Sequence, residues 1–295
     1  MTHTTHASAQ QRGGPENYGR SMRFGVLGPI EVTKKRRRIP TGGPKQRTVL
    51  ALLIANAGST VSTDSLVQGV YGEDAPSGAR RSVQTYVSNL RSQLGNEIEA
   101  SGSGYRLIAS RDDVDASLFN DLVAEASNGA DAEARATKLR AALALWRGHP
   151  YADVDGSFFL TTEIGRLNEL RAQAIEARVD ADLELGRHRE LVSELDSLTE
   201  EYPLRERFRA QQMLALYRSG RQAEALRAYE RTRNYLVEEA GLEPSRELRD
   251  LEQRILEQDP SLAFESGPTV RHAAILVSEV ADPRILSTLE PIDRE

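Results

Sequence analysis

The side chains best suited to recognise a ligand lie on one face of a helix predicted at about residues 79–94. Apolar residues at helical spacing define its buried face: Val83, Val87, Leu90 and Leu94. The opposite face is predicted to present Arg81, Gln84, Thr85, Ser88, Arg91 and Ser92, with Tyr86 and Asn89 on the flanks. Arginine pairs with guanine or phosphate, Asn and Gln with adenine, and Ser or Thr with any base edge. This carboxylate-free face therefore indicates a helix that reads duplex DNA, with a neutral surface helix as the alternative.

A hairpin with a Gly/Ser tip is predicted directly after this helix, at residues 98–108. A tip without bulky side chains lets the backbone approach DNA closely. Ser103 and Arg106 are candidate contacts, with Arg106 reaching the minor groove or a phosphate. Arg80, at the start of the helix, completes the predicted interface, whereas the Tyr105 ring is expected in the core.

Helix-breaking and helix-capping residues predict the bounds of the strands and helices that must position these side chains. Residues 22–32 are predicted to form a strand pair or a strand with a turn, and the basic run Lys34–Arg38 a hairpin tip that can contact phosphate. A helix begins at Pro44, and Ser62 caps a second one. A breaker-rich loop, Tyr71–Gly78, then precedes the third helix. Strands, three helices and a terminal hairpin predict a winged helix-turn-helix over residues 22–111.

Residues 112–259 are predicted to be almost entirely helical, so the fold class is mainly α. Leu185-Gly186-Arg187 recurs as Ser219-Gly220-Arg221, a period of 34 residues. This is the tetratricopeptide period, in which stacked helix pairs bury a shared core. Residues 1–21 are interpreted as a disordered leader. Residues 260–295 are interpreted as a linker and tail, with a strand at Ala273–Val277 that belongs either to an ordered tail or to a further domain.

Charge separates the two parts of the chain. Residues 1–110 carry 14 Lys and Arg against 7 Asp and Glu, whereas the whole chain has a net charge of -6. Residues 1–110 are therefore suited to bind a polyanion, whereas the acidic remainder of the chain is not. The absence of cysteine fits a reducing cytoplasm and excludes thiol chemistry. We find no metal-ligand spacing, phosphate-binding loop, nucleophile motif or membrane-length apolar run, and we predict neither an enzyme nor a cofactor or metal.

The motifs RSVQTYVSNLRSQL (81–94) and GYR (104–106) resemble the OmpR/PhoB-type winged helix. Over residues 22–256 the chain resembles the Streptomyces antibiotic regulatory protein (SARP) family, through MRFGVLGPIEV, GGPKQRTVLALLIANAG, SGARRSVQTYVSNLRSQLG and SGSGYRL. The marks LALWRGHPYADV and the long segment 201–256 resemble the bacterial transcriptional activation domain that follows in this family.

The resemblance implies a cytoplasmic activator of antibiotic or secondary-metabolite gene clusters, bound to the nucleoid. Two protomers would bind direct repeats near the -35 promoter element as a dimer on DNA and recruit RNA polymerase. By position, Arg81, Tyr86, Ser88, Asn89, Arg91 and Arg106 match family positions that contact DNA, although Tyr86 and Asn89 depart from the His and Arg common there. The loop with Tyr71, Glu73 and Asp74 matches the segment that meets sigma region 4. The alternative is a tetratricopeptide-type scaffold or ligand-sensing regulator with auxiliary DNA binding.

Overall fold

The computed structural model describes residues 22–128, 131–154 and 158–264, which form two compact units. The first unit ends at Ala181 and the second begins at Asp182, so the division falls inside a long helix. The predicted leader (1–21) and the predicted strand at 273–277 lie outside the described residues. Among the described helices, none combines the length and the apolar composition that a membrane span requires. The same residues hold no cluster of three or more His, Cys, Asp or Glu suited to a metal ion.

The first unit opens with an antiparallel sheet in the order β1-β2-β3. Its strands are β1 (Met22–Gly25), β2 (Glu31–Lys34) and β3 (Arg37–Ile39). Alternation places Met22, Phe24 and Val32 in the core, where each is at most 2% exposed. The predicted basic hairpin tip therefore connects β2 to β3.

Three helices and a second sheet complete the winged helix. The helices are α1 (Pro44–Ala55), α2 (Thr63–Tyr71) and α3 (Ala79–Leu94). The second sheet has the order β4-β6-β5, with β4 (Thr60–Ser62), β5 (Ile98–Ser101) and β6 (Gly104–Leu107). The hairpin β5–β6, called the wing below, confirms the prediction, but β4 was not predicted. A Cβ at Gly104 would lie 2.0 Å from the Val61 carbonyl oxygen, so only glycine allows this close strand approach.

The first unit continues into the helical region. Its further helices are α4 (Asp115–Ser127), α5 (Ala132–Leu143) and the long α6 (Phe158–Glu184). Buried residues of the winged helix and of α4 to α6 form one hydrophobic core. Trp146 packs edge-on against Phe119 with ring centroids 5.4 Å apart, which places both rings in this core.

The second unit consists of antiparallel helical hairpins. It contains α7 (His188–Glu201), α8 (Glu206–Arg218), α9 (Gln222–Tyr235) and α10 (Arg246–Leu256). Gly186 and Gly220, 34 residues apart, have φ values of 75° and 79°. In both turns the following arginine N–H bonds a carbonyl five residues back: Arg187 to Asp182 at 3.0 Å and Arg221 to Leu216 at 2.9 Å. This shared cap explains the sequence period, since each copy ends one helix and begins the next.

Pro260–Leu262 form a short 3-10 turn at the start of the segment that was interpreted as a linker and tail. Leu262 is 4% exposed, and its carbonyl accepts a hydrogen bond from the Arg218 Nε at 2.8 Å. Phe264 lies against His188 with ring centroids 5.9 Å apart. Phe264 therefore lies beside the turn at Gly186.

Candidate nucleic-acid interface

The buried and exposed faces of α3 divide as the periodicity predicts. Val83, Val87, Leu90 and Leu94 are at most 2% exposed and belong to the core. The remaining positions that were expected outside are exposed: Arg81, Gln84, Thr85, Ser88, Asn89, Arg91 and Ser92. The core contacts thus hold α3 with its polar face towards solvent, following α2 as the second helix of a helix-turn-helix.

The two arginines at the ends of this face are available for a ligand. In the part of the chain that the structure describes, neither Arg81 nor Arg91 has a carboxylate partner. Two hydroxyls are already bonded to the helix backbone, from Thr85 to the Arg81 carbonyl at 3.0 Å and from Ser92 to the Asn89 carbonyl at 2.7 Å. The exposed amides of Gln84 and Asn89 each carry both a hydrogen-bond donor and an acceptor, and the exposed Ser88 hydroxyl carries one of each as well.

The two other arginines that were predicted to contact DNA form ion pairs within the protein. Arg80 pairs with Asp64 of α2, and Arg106 of the wing pairs with Glu99 on the neighbouring strand at 3.3 Å. Both pairs are largely exposed, so they contribute little stability and can exchange for phosphate at small cost. Ser103 is exposed at the wing tip, and its carbonyl accepts hydrogen bonds from Thr63 N and Thr63 Oγ1, at 3.1 and 2.8 Å. These bonds fix the wing tip against the start of α2.

Tyr86 is half-buried and touches a neighbouring helix. Its hydroxyl lies 3.4 Å from the hydroxyl of Tyr71, at the end of α2, and Lys45 of α1 sits 4.1 Å from the centre of the Tyr71 ring. The hydrogen bond between the two hydroxyls lowers the pKa of Tyr71 and raises the pKa of Tyr86. Tyr86 and Tyr71 thus link α3 to the loop that follows α2. The sequence placed Tyr86 on a flank of α3 but gave no sign of this partner or of Lys45.

The loop after α2 presents its acidic residues to solvent. Gly72–Asp74 forms one 3-10 turn, and Glu73 and Asp74 are exposed. Ala79 N bonds the Pro76 carbonyl at 2.8 Å, which closes the loop before α3 begins. The loop is thus a short acidic projection between the two helices of the helix-turn-helix.

A network that the sequence did not reveal holds the β1–β2 connection against the helical region. Asp115 accepts hydrogen bonds from Val26 N at 2.8 Å and Leu27 N at 3.2 Å, and pairs with Arg147 at 3.1 Å. Burial raises the pKa of Asp115, although these bonds act in the opposite direction. Asp153 accepts from Ile30 N at 2.7 Å. We call Asp115, Arg147 and Asp153 the clamp.

Two family profiles match this arrangement. One, described as transcriptional regulatory protein, C terminal, matches residues 38–107, and the other, bacterial transcriptional activator domain, matches residues 114–256. Among solved structures, Mycobacterium tuberculosis EmbR in complex with a low-affinity phosphopeptide is 35% identical with a TM-score of 0.77, covering 88% of this chain and 71% of that one. The two family matches and the similarity to EmbR together define the class of this protein, a winged-helix transcriptional regulator with a helical activator domain.

Relatives narrow this class. Regulatory protein DnrI of Streptomyces peucetius is 34% identical over 268 residues, which cover 86% of this chain and 98% of DnrI. Regulatory protein AfsR of Streptomyces griseus is 43% identical over 247 residues, or 82% of this chain. The chain spans only about a quarter of AfsR, 25%. The chain belongs to the SARP family of transcriptional activators.

Proposed function

We propose that this protein binds promoter DNA through α3 and the wing, and thereby activates transcription. The observation that carries the proposal is the exposed, carboxylate-free face of α3, on which Arg81 and Arg91 have no carboxylate partner among the described residues. A helix with this face fits the major groove, where arginine pairs with guanine and the amides of Gln84 and Asn89 pair with adenine. The wing then contacts phosphate or the minor groove through Ser103 and Arg106.

Two protomers bind direct repeats near the -35 element as a dimer formed on DNA, with repeat centres about one helical turn, 10–10.5 bp, apart. The loop with Tyr71, Glu73 and Asp74 meets RNA polymerase, since its exposed carboxylates complement basic residues of sigma region 4. By its kinship with antibiotic regulators, the protein controls an antibiotic or other secondary-metabolite gene cluster. It works without a cofactor or catalytic step, in the cytoplasm and on the nucleoid.

The test begins with a footprint on the promoter next to the protein's own gene, which reports binding, repeat spacing and target together. Arg81→Ala should then weaken binding to that site by about 1–3 kcal/mol if Arg81 reads a base, and relax the preference at one position. The matched control is Arg246→Ala, an exposed arginine of α10 in the second unit. An equal loss on all sequences would assign Arg81 to phosphate, and no loss would remove it from the site.

Salt dependence separates an activator from a protein-binding scaffold. Each phosphate contact releases counterions, so the affinity of an activator for its promoter should fall steeply as salt rises. Binding that is insensitive to salt, with no preference for a promoter fragment over random DNA, would refute the proposal in favour of a scaffold.

A further inference from the structure

The hairpin between β2 and β3 carries a strong positive charge that the proposed interface does not use. Four consecutive exposed residues, Lys34–Arg37, form this segment, which we call the basic hairpin. The next residue, Arg38, is paired with Glu31 at 2.6 Å. Within residues 22–128, 131–154 and 158–264, the four cations of the basic hairpin have no acidic partner. Their charge is therefore available to an external anion.

The turn of the basic hairpin holds Lys35 and Arg36 in a backbone conformation that is more favourable for other residue types. Lys34 faces Arg37 across the strands, which leaves a two-residue turn of Lys35 and Arg36 with φ values of 49° and 65°. Positive φ at both central positions defines the tight hairpin turn in which Asn-Gly is preferred, because side chains are strained there. Strain of this kind persists most often at functional positions. The turn thus retains its charges against the local conformational preference.

We propose that the basic hairpin is a second DNA-binding surface, which contacts the phosphate backbone of duplex DNA outside the segment read by α3. The inference rests on the proposed function. The basic hairpin belongs to the part of the chain, residues 1–110, in which Lys and Arg outnumber Asp and Glu 14 to 7. None of its four residues is apolar or aromatic, whereas the core of a protein–protein interface is rich in such side chains. A row of flexible cations without apolar neighbours suits phosphate, and it adds affinity without sequence preference.

The double variant K35N/R36G tests this inference without endangering the fold. Asn-Gly is the favoured pair for this turn, so the urea midpoint of the variant should equal or exceed that of the wild type. The charge-matched control is R246Q/R249Q, which removes two exposed arginines from α10. Affinity is measured by fluorescence anisotropy over a range of salt concentrations, on a promoter duplex and on a random duplex of equal length.

If the basic hairpin contacts phosphates, the slope of log K against log salt for K35N/R36G should be shallower than for the wild type by about 1.8, or 0.9 per lost contact. At 0.1 M salt, binding should weaken roughly 10-fold or more on both duplexes, so the ratio between them stays constant. R246Q/R249Q should keep the wild-type slope.

Two outcomes would overturn the inference. One is an unchanged slope in K35N/R36G while the wild type still binds its promoter. The other is reduced self-association with an unchanged slope, which would assign the basic hairpin to a second copy of the chain. Failure of the proposed function would give a different result from failure of this inference. If the proposed function is wrong, the wild type itself should show no salt-dependent preference for the promoter.

Discussion

Replacing Asp115 with alanine should destabilise the first unit by about 3 kcal/mol. The substitution leaves the amides of Val26 and Leu27 without an acceptor, and both residues are 0% exposed. A buried donor without a partner costs about 1–3 kcal/mol, so two such donors justify the estimate. The lost ion pair with Arg147 adds little, because 34% of the Arg147 side chain is exposed.

The single tryptophan offers a local readout for this experiment. Trp146 packs on Phe119 within the first unit, so its fluorescence follows the unfolding of that unit in urea. With a slope of about 2 kcal/mol per molar urea, the midpoint should fall by about 1.5 M. Asp121→Asn, which breaks only the exposed pair with Arg111, is the control and should leave the midpoint unchanged within error. A loss below about 1 kcal/mol in Asp115→Ala would refute the argument that the clamp satisfies these amides.

Asp115→Asn separates the acceptor oxygens from the charge. Asparagine keeps one acceptor and avoids burying a charge, so it should cost only about 1 kcal/mol. Burial raises the folded-state pKa of Asp115 above the unfolded value of about 3.9, so the folded protein binds more protons in this range. The contribution of Asp115 to the free energy of unfolding therefore falls as pH rises through the interval above 3.9. The difference in stability between the wild type and Asp115→Asn should accordingly narrow from pH 4 to pH 7 in urea titrations.

Two further predictions concern other regions. Gly104→Ala should destabilise the wing by about 3 kcal/mol in thermal unfolding, because its Cβ meets the Val61 carbonyl; an unchanged melting temperature would contradict this close packing. Burial lowers the pKa of His188, and the positive charges of Arg218 and Arg189 lower it further. The contribution of His188 to the stability of the second unit is therefore full above the unfolded pKa of about 6.5, and it declines as pH falls below that value. An NMR titration should place the His188 midpoint below that of a histidine in an unfolded peptide, and a midpoint at or above 6.5 would exclude the proposed cause.

The parts of the fold with a local sequence signal were predictable. The faces of α3 follow from apolar residues three and four positions apart, and the turns at Gly186 and Gly220 follow from a repeated tripeptide. Strand β4 was missed because Thr60–Ser62 is only three residues long and pairs with Gly104–Arg106, more than 40 residues later. A strand so short carries no alternation long enough to recognise.

The clamp and the tyrosine pair could not be inferred for a different reason. Asp115 and Val26 are 89 residues apart, and Asp153 and Ile30 are 123 apart. The sequence around each aspartate does not indicate its distant backbone partner. An aspartate near the start of a helix, such as Asp115, is equally explained as a helix cap. Tyr86 was placed on a flank of α3, where periodicity alone does not decide between solvent and a neighbouring helix. Only the packing of α2 on α3 makes Tyr71 its partner.

The long reach of the clamp has a consequence for synthesis on the ribosome. The amide of Ile30 finds its acceptor only once Asp153 has been translated, and that of Val26 only after Asp115. At about 5–20 residues per second, a nascent winged helix lacks these protein acceptors for several seconds or more, and its amides bond to water in the meantime. Premature termination before Asp115 would release a fragment whose first sheet lacks the whole clamp, and we expect such a fragment to be held by chaperones or degraded by proteases.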